Sequence, residues 1–203
     1  MPAPDVVAYV RAALPAPPAR VLEIGAGDGT LAAALRDAGY DVVAIDPQGG
    51  EGILAVPLHQ LEAPDGSFAA AVGVTSLHHV DPLARSCRHL ADLLAPGAPL
   101  VADELDCDRL DERAAAWWLA QRRAAGFEHE HSPAEFVAEM RGHIHPIARV
   151  VAELAPWFDV GTPVPGPYMY RWHLDWALRP VEERLIAAGE LPAVGLRFVA
   201  TRR

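Results

Sequence analysis

The sequence predicts an α/β protein with a mostly parallel sheet, and three observations carry that reading. The run Val21-Leu22-Glu23-Ile24 enters a turn with glycine at positions 25, 27 and 29, and an Ala/Leu-rich segment leaves it and stops at Gly39. Strand, glycine-rich turn and helix in that order open a βαβ unit. A second apolar run, residues 40–45, ends in Asp46. A third, residues 68–74, is nearly all apolar, which suits a strand covered by helices on both faces.

The totals narrow the class. A chain of 203 residues is expected to form one domain with a substantial core. Apolar residues make up 51% and charged residues 22%, the balance of a globular protein. The net charge of −10 argues against a nucleic-acid partner, which usually meets a basic face. No apolar run approaches the ~20 residues that cross a bilayer, and the opening Met1-Pro2-Ala3-Pro4-Asp5 lacks the basic region of a secretory leader. Cys87 and Cys107 are the only cysteines, so free thiols and a cytoplasmic location are expected. Every basic side chain other than histidine is arginine. Without lysine, Schiff-base chemistry on this chain is excluded.

Taken in order, residues 5–14 read as a helix, with Val6, Val7, Val10 and Leu14 on one stripe and a Pro-rich break after it. It either covers the ligand site or packs on the sheet. Strand one covers residues 20–24, the first crossover helix 30–38 and strand two 41–45. The segment Pro47-Gln48-Gly49-Gly50-Glu51-Gly52 is too glycine-rich for a helix, so a loop leads to strand three at 53–58. After the strand at 68–74, Asp81 is expected to cap a helix with Pro82 at its first position. Leu83, Cys87, Leu90, Ala91 and Leu94 form its buried stripe. Strand five begins at Leu100 and ends in Asp103-Glu104. Residues 106–146 exceed what a strand-to-helix connection needs. They are read as a helical insertion capping the site, with helices at 111–125 and from a Ser132-Pro133-Ala134-Glu135 capping box. A helix at 147–155, a strand at 158–162, an interruption at 163–167, a helix at 180–188 and a final strand at 195–200 complete the chain.

The glycine turn decides between ligands. A dinucleotide turn needs G-x-G-x-x-G, and counting from Gly25 the third glycine falls on Thr30. That disfavours a nucleotide-dependent oxidoreductase. The pattern present, Glu23-x-Gly25-x-Gly27-x-Gly29, resembles motif I of the class I S-adenosylmethionine-dependent methyltransferases. The resemblance covers residues 20–104. It implies a Rossmann-like fold, a mostly parallel seven-stranded sheet with an antiparallel last strand, and S-adenosyl-L-methionine as cofactor. It also implies that Glu23 lies near the methionyl ammonium and that Gly25, Ala26, Gly27 and Gly29 admit the cofactor. Asp46, followed by Pro47, would accept hydrogen bonds from the ribose hydroxyls. The Asp that many members place against the adenine amino group is missing, since Pro57 stands there. The backbone of Leu58 and the side chain of His59 are the expected substitutes. Thr75, at the end of the fourth strand, would contact cofactor.

Methyl transfer to oxygen or nitrogen often needs a base, and a histidine of near-neutral pKa suits it. His78 and His79 follow Thr75 and are the expected catalytic residues, with Glu104, Tyr170 and His173 behind them. Trp118, His143, Tyr168, Tyr170 and Trp172 are expected to form the wall for a small-molecule substrate, such as a specialised metabolite. For Tyr168, Tyr170 and Trp172 the alternation also fits a half-buried strand. The pairs His129-Glu130-His131 and His143-Ile144-His145 lack a recognised ligand spacing, so no metal is expected. A monomer or homodimer acting as methyltransferase is the first reading. The alternative is a module that binds S-adenosylmethionine or a nucleotide without catalysis.

Overall fold

A computed structural model describes residues 3–127 and 131–203. His129 and Glu130 of the first histidine pair lie outside the described residues. Eight strands form one sheet in the order β3-β2-β1-β4-β5-β8-β6, with β7 pairing β8 off that path. The strands are β1 (Arg20–Ile24), β2 (Asp41–Asp46), β3 (Leu54–Ala55), β4 (Ala70–Val74), β5 (Pro99–Leu105), β6 (Phe158–Val160), β7 (Val164–Gly166) and β8 (Gly195–Arg202). The pairs β1–β2, β1–β4, β2–β3 and β4–β5 are parallel, and β6–β8 is antiparallel. The expected mostly parallel α/β sheet is therefore present, with eight strands rather than seven. The additional strand, β7, falls where the prolines at 163, 165 and 167 led us to expect only an interruption. A short strand away from the centre of a sheet tolerates residues that donate no ladder bond.

The strands form because their residues are buried on both faces. Val21, Leu22 and Ile24 of β1, and Ala70, Ala71 and Val72 of β4, are all buried. Strand three is shorter than expected: β3 spans Leu54–Ala55, and a single 3-10 turn at Leu58–Gln60 takes the rest. The helices are α1 (Pro4–Ala13), α2 (Thr30–Asp37), α3 (Leu83–Leu93), α4 (Glu112–Ala124), α5 (Pro133–His143), α6 (Ile147–Leu154) and α7 (Arg179–Ala187). α3 starts one residue later than expected: Pro82 is its N-cap, and Asp81 makes no capping bond. On α1, Val6 and Val10 join Val21, Ala32, Leu35 and Val101 in one core cluster. The Tyr9 hydroxyl donates to the carbonyls of Ala102 and Phe198. Arg197 binds both Asp5 of α1 and Asp103 of β5, at 2.7 and 2.9 Å. α1 thus packs on the sheet, the second of its two expected roles.

The chain divides into two compact units. The first is 1–104 with 148–163 and 197–203, and the second is 105–147 with 164–196. The insertion expected at 106–146 falls within the second. There Asp111 caps α4 by accepting from the Ala114 N–H, and Ser132 and Glu135 form the expected capping box of α5. The Glu182 carboxylate accepts from the consecutive N–H groups of Tyr168, Met169 and Tyr170 at 2.7–3.0 Å. That bends this stretch into a 3-10 turn at Met169–Arg171. Burial, as the largest cause, raises the Glu182 pKa, opposed by those three bonds. Among the described residues no helix is long and apolar enough to cross a membrane.

Candidate functional site

The first unit holds a pocket of about 560 Å³ at the carboxyl ends of β1, β2 and β4. In an open α/β sheet that edge is where ligands bind. Four segments converge there: the glycine turn after β1, the end of β2, residues 56–59, and the segment after β4.

At the glycine turn, Gly25 and Gly27 both have positive φ, +66° and +54°. Their surroundings differ. A Cβ on Gly25 would lie 2.5 Å from the Cβ of Ser76, whereas a Cβ on Gly27 would meet nothing within 4 Å. Gly25 is therefore required by the protein's own packing, and Gly27 opens onto free space. Gly29, in the left-handed conformation, is the N-cap of α2. Asp28 accepts from the backbone and hydroxyl of Thr30, and those bonds hold its carboxyl below the usual range.

Two carboxylates accompany the turn. Glu23 is 4% exposed, and its Oε2 is buried with no hydrogen-bond partner. Burial pushes its pKa up to about 7, a rise moderated by Arg36. Asp46 lines the pocket. Its Oδ2 accepts from the Gly27 N–H at 3.1 Å and its Oδ1 from the Gln48 N–H at 2.9 Å. Each carboxylate oxygen keeps a further lone pair. Pro47, Pro57, Leu58 and His59 line the same pocket, and the Nδ1 of His59 is buried without a partner. Glu23, Ala26 and Gly29 are not among the lining residues.

After β4 the backbone reverses at Thr75, a β-branched residue at φ +56°. Such a residue in the left-handed region costs on the order of 1–3 kcal/mol and clusters at functional sites. Thr75, Ser76, His79, Val80 and Asp81 line the pocket. Leu77 and His78 turn inward and are buried. The two expected catalytic histidines are therefore separated. His79 is exposed at the pocket, and His78 is 1% exposed and faces the buried Glu104 of β5. Sequence reasoning passed over Ser76, which nothing distinguishes from its neighbours in the chain. It read Asp81 as a helix cap, a role that fits the same residue type before proline.

The expected substrate wall lies in the second unit. Trp118, Tyr168 and Tyr170 are buried there. Trp118 stacks on Phe136 at 4.8 Å and lies 5.0 Å from Trp172, to whose carbonyl its indole N–H donates. These side chains form the core of that unit, while His143 is exposed on α5. Among the described residues no group of three or more His, Cys, Asp or Glu side chains could hold a metal ion. Cys87 and Cys107 are buried free thiols, which burial pushes up to about 12 and about 11.

Residues 4–151 match a family profile described as a methyltransferase domain. Ubiquinone biosynthesis O-methyltransferase of Xanthomonas campestris pv. campestris is 36% identical over 118 residues, 48% of this chain and 48% of that protein. The chain spans about half the length of the curated relatives it matches. Among solved structures, an S-adenosylmethionine dependent methyltransferase from Mesorhizobium loti superimposes with a TM-score of 0.61 at 19% identity, over 95% of each chain. Geranyl diphosphate C-methyltransferase from Streptomyces coelicolor A3(2) gives a TM-score of 0.64 at 12% identity, over 98% of this chain and 80% of that one. At these identities the likeness is one of fold.

Proposed function

The chain belongs to the methyltransferase-domain family, and on that premise we propose that it transfers the methyl group of S-adenosyl-L-methionine to an oxygen, nitrogen or carbon of a small molecule. The observation that carries the proposal is the glycine turn. Gly27 opens onto space free of other side chains, beside the pocket-lining Asp46, and Glu23 directly precedes the pocket-lining Ile24. The partnerless Glu23 Oε2 suits a cationic donor.

In this reading Glu23 answers the methionyl ammonium, the backbone at Gly25–Gly27 makes room for the amino-acid and ribose parts, and Asp46 holds the ribose hydroxyls. Pro47, Leu58 and His59 border the base, with the partnerless His59 Nδ1 standing in for the family's adenine-binding Asp. The bound cofactor supplies an electrophilic methyl group on a sulfonium. What the protein contributes is alignment and exclusion of water, which together account for much of the acceleration in an in-line displacement. His79, the pocket-lining histidine, takes the proton from an oxygen or nitrogen acceptor. The net charge of −10 supports a partner other than nucleic acid, and the two free thiols support a cytoplasmic location.

Calorimetry with S-adenosylmethionine, S-adenosylhomocysteine and NADH, followed by transfer of labelled methyl to an acceptor panel, tests the proposal. Binding of the first two with label transfer is expected. Binding of NADH alone overturns it. Binding with no transfer to any acceptor favours the module that binds without catalysis.

A further inference from the structure

The segment that forms one wall of the pocket is fastened from behind by a single side chain of the neighbouring strand. Glu104, at the end of β5, is 0% exposed. Its Oε1 accepts from the N–H groups of Ser76 and Leu77, at 3.2 and 2.9 Å. Its Oε2 lies 2.5 Å from His78 Nδ1, a close polar contact rather than an in-line hydrogen bond. One carboxylate thus holds three consecutive residues. Thr75 N–H donates to the carbonyl of Asp103, one residue earlier on β5, at 2.9 Å. Leu77 folds against Gly73 of β4, where even a methyl group would come within 2.7 Å of its Cγ. The front of the same segment, Thr75, Ser76, His79, Val80 and Asp81, lines the pocket. The rings of His78 and His79 are in contact, with centroids 4.4 Å apart and a tilt of 55°.

We propose that the buried His78–Glu104 pair is a positioning device: it holds residues 75–81 as a preformed wall, and the His78 ring supports the pocket-facing ring of His79. This rests on the reading of the pocket as the S-adenosylmethionine site. Neither member touches ligand. Glu104 fixes the backbone that carries Thr75 and Ser76, and His78 transmits that fixation to the side chain of the next residue. The strained Thr75 conformation is what such an anchor has to hold, since left-handed backbone at a β-branched residue persists only where its surroundings over-determine it.

The test compares His78→Phe, His78→Asn and Glu104→Gln with the wild type. Phenylalanine keeps a ring under His79 but has no donor for Glu104. Asparagine offers an amide N–H close to where the imidazole Nδ1–H stood. Amide hydrogen exchange at Ser76, Leu77 and His79 needs no ligand. It should accelerate by about ten-fold or more in His78→Phe, the loss of one close polar contact to a buried carboxyl group, and return toward the wild-type rate in His78→Asn. Affinity for S-adenosylhomocysteine, measured where all variants are folded, should fall about ten-fold in His78→Phe and recover in His78→Asn. Glu104→Gln keeps the side-chain volume and an acceptor for the two backbone N–H groups, so it carries the test should His78→Phe not fold. It is expected to accelerate exchange at His79 more than at Leu77. Unchanged exchange and affinity in a folded His78→Phe or Glu104→Gln overturns the proposal, as does a loss that His78→Asn does not restore. A wild type that fails to bind S-adenosylhomocysteine refutes the pocket reading instead, while the exchange comparison still decides whether the pair fixes the wall.

Discussion

Replacing Gly27 with valine separates a ligand-facing glycine from a structural one. No atom lies within 4 Å of a Cβ built at Gly27, so the isopropyl group meets only the pocket. The cost to the fold is conformational. A side chain at φ +54° pays roughly 1–2 kcal/mol for the left-handed region, and somewhat more when β-branched. For a chain of this length that lowers Tm by about 2–8 °C. The cost to binding is steric: a ligand built to the open turn must shift, and such overpacking costs about 1–3 kcal/mol, roughly a 5- to 150-fold loss of affinity. Gly25→Ala reverses the balance, because its methyl group would lie 2.5 Å from the Ser76 Cβ. That variant is expected to lose more stability than Gly27→Val while adding a smaller group. Scanning calorimetry gives the Tm of each, and titration with S-adenosylhomocysteine gives the affinities. Undiminished affinity in Gly27→Val, or a Gly25→Ala protein as stable as wild type, refutes this account of the turn.

Glu23, with its pKa raised from 4.5 to about 7, favours the protonated form in the ligand-free fold. The stability from that preference is complete below pH 4.5 and is lost as pH rises to about 7, by on the order of 3 kcal/mol. Glu23→Gln should flatten the stability profile over this window, read by urea unfolding at several pH values. The ionised form is the one that receives an ammonium, so affinity for S-adenosylmethionine should rise through the same window in wild type only. Asp46→Ala removes the acceptor that holds the Gly27 N–H and that the proposed function assigns to the ribose, and should weaken nucleoside binding by about 10- to 100-fold, measured by calorimetry; Asp46→Asn, which keeps one acceptor oxygen, should fall between. Trp118→Ala should cost about 3–5 kcal/mol as a core truncation, seen as a lowered urea midpoint. A midpoint near wild type with a raised acceptor KM would instead return Trp118 to the substrate wall.

Local features were legible in the sequence wherever the physics is local. The spacing of Gly25, Gly27 and Gly29 identified the turn, the apolar runs identified β1, β2 and β4, and Ser132 with Glu135 identified the start of α5. Each depends on residues within a turn or two of one another. The roles of Tyr168 and Tyr170 were not legible, because the alternation that suggested a strand is overridden by a carboxylate 12 to 14 residues away. Asp81 was ambiguous for a different reason: the same chemistry serves a helix cap and a pocket rim.

By itself, then, the chain determined an α/β sheet, a side-chain-free bend after its first strand, and an acidic residue at the end of the second, because strand burial and left-handed turns are written in short-range pattern. Only the tertiary structure decided which of two adjacent histidines meets the pocket and which is buried. That choice belongs to Glu104, supplied by another strand, and distance along the chain carries no trace of it.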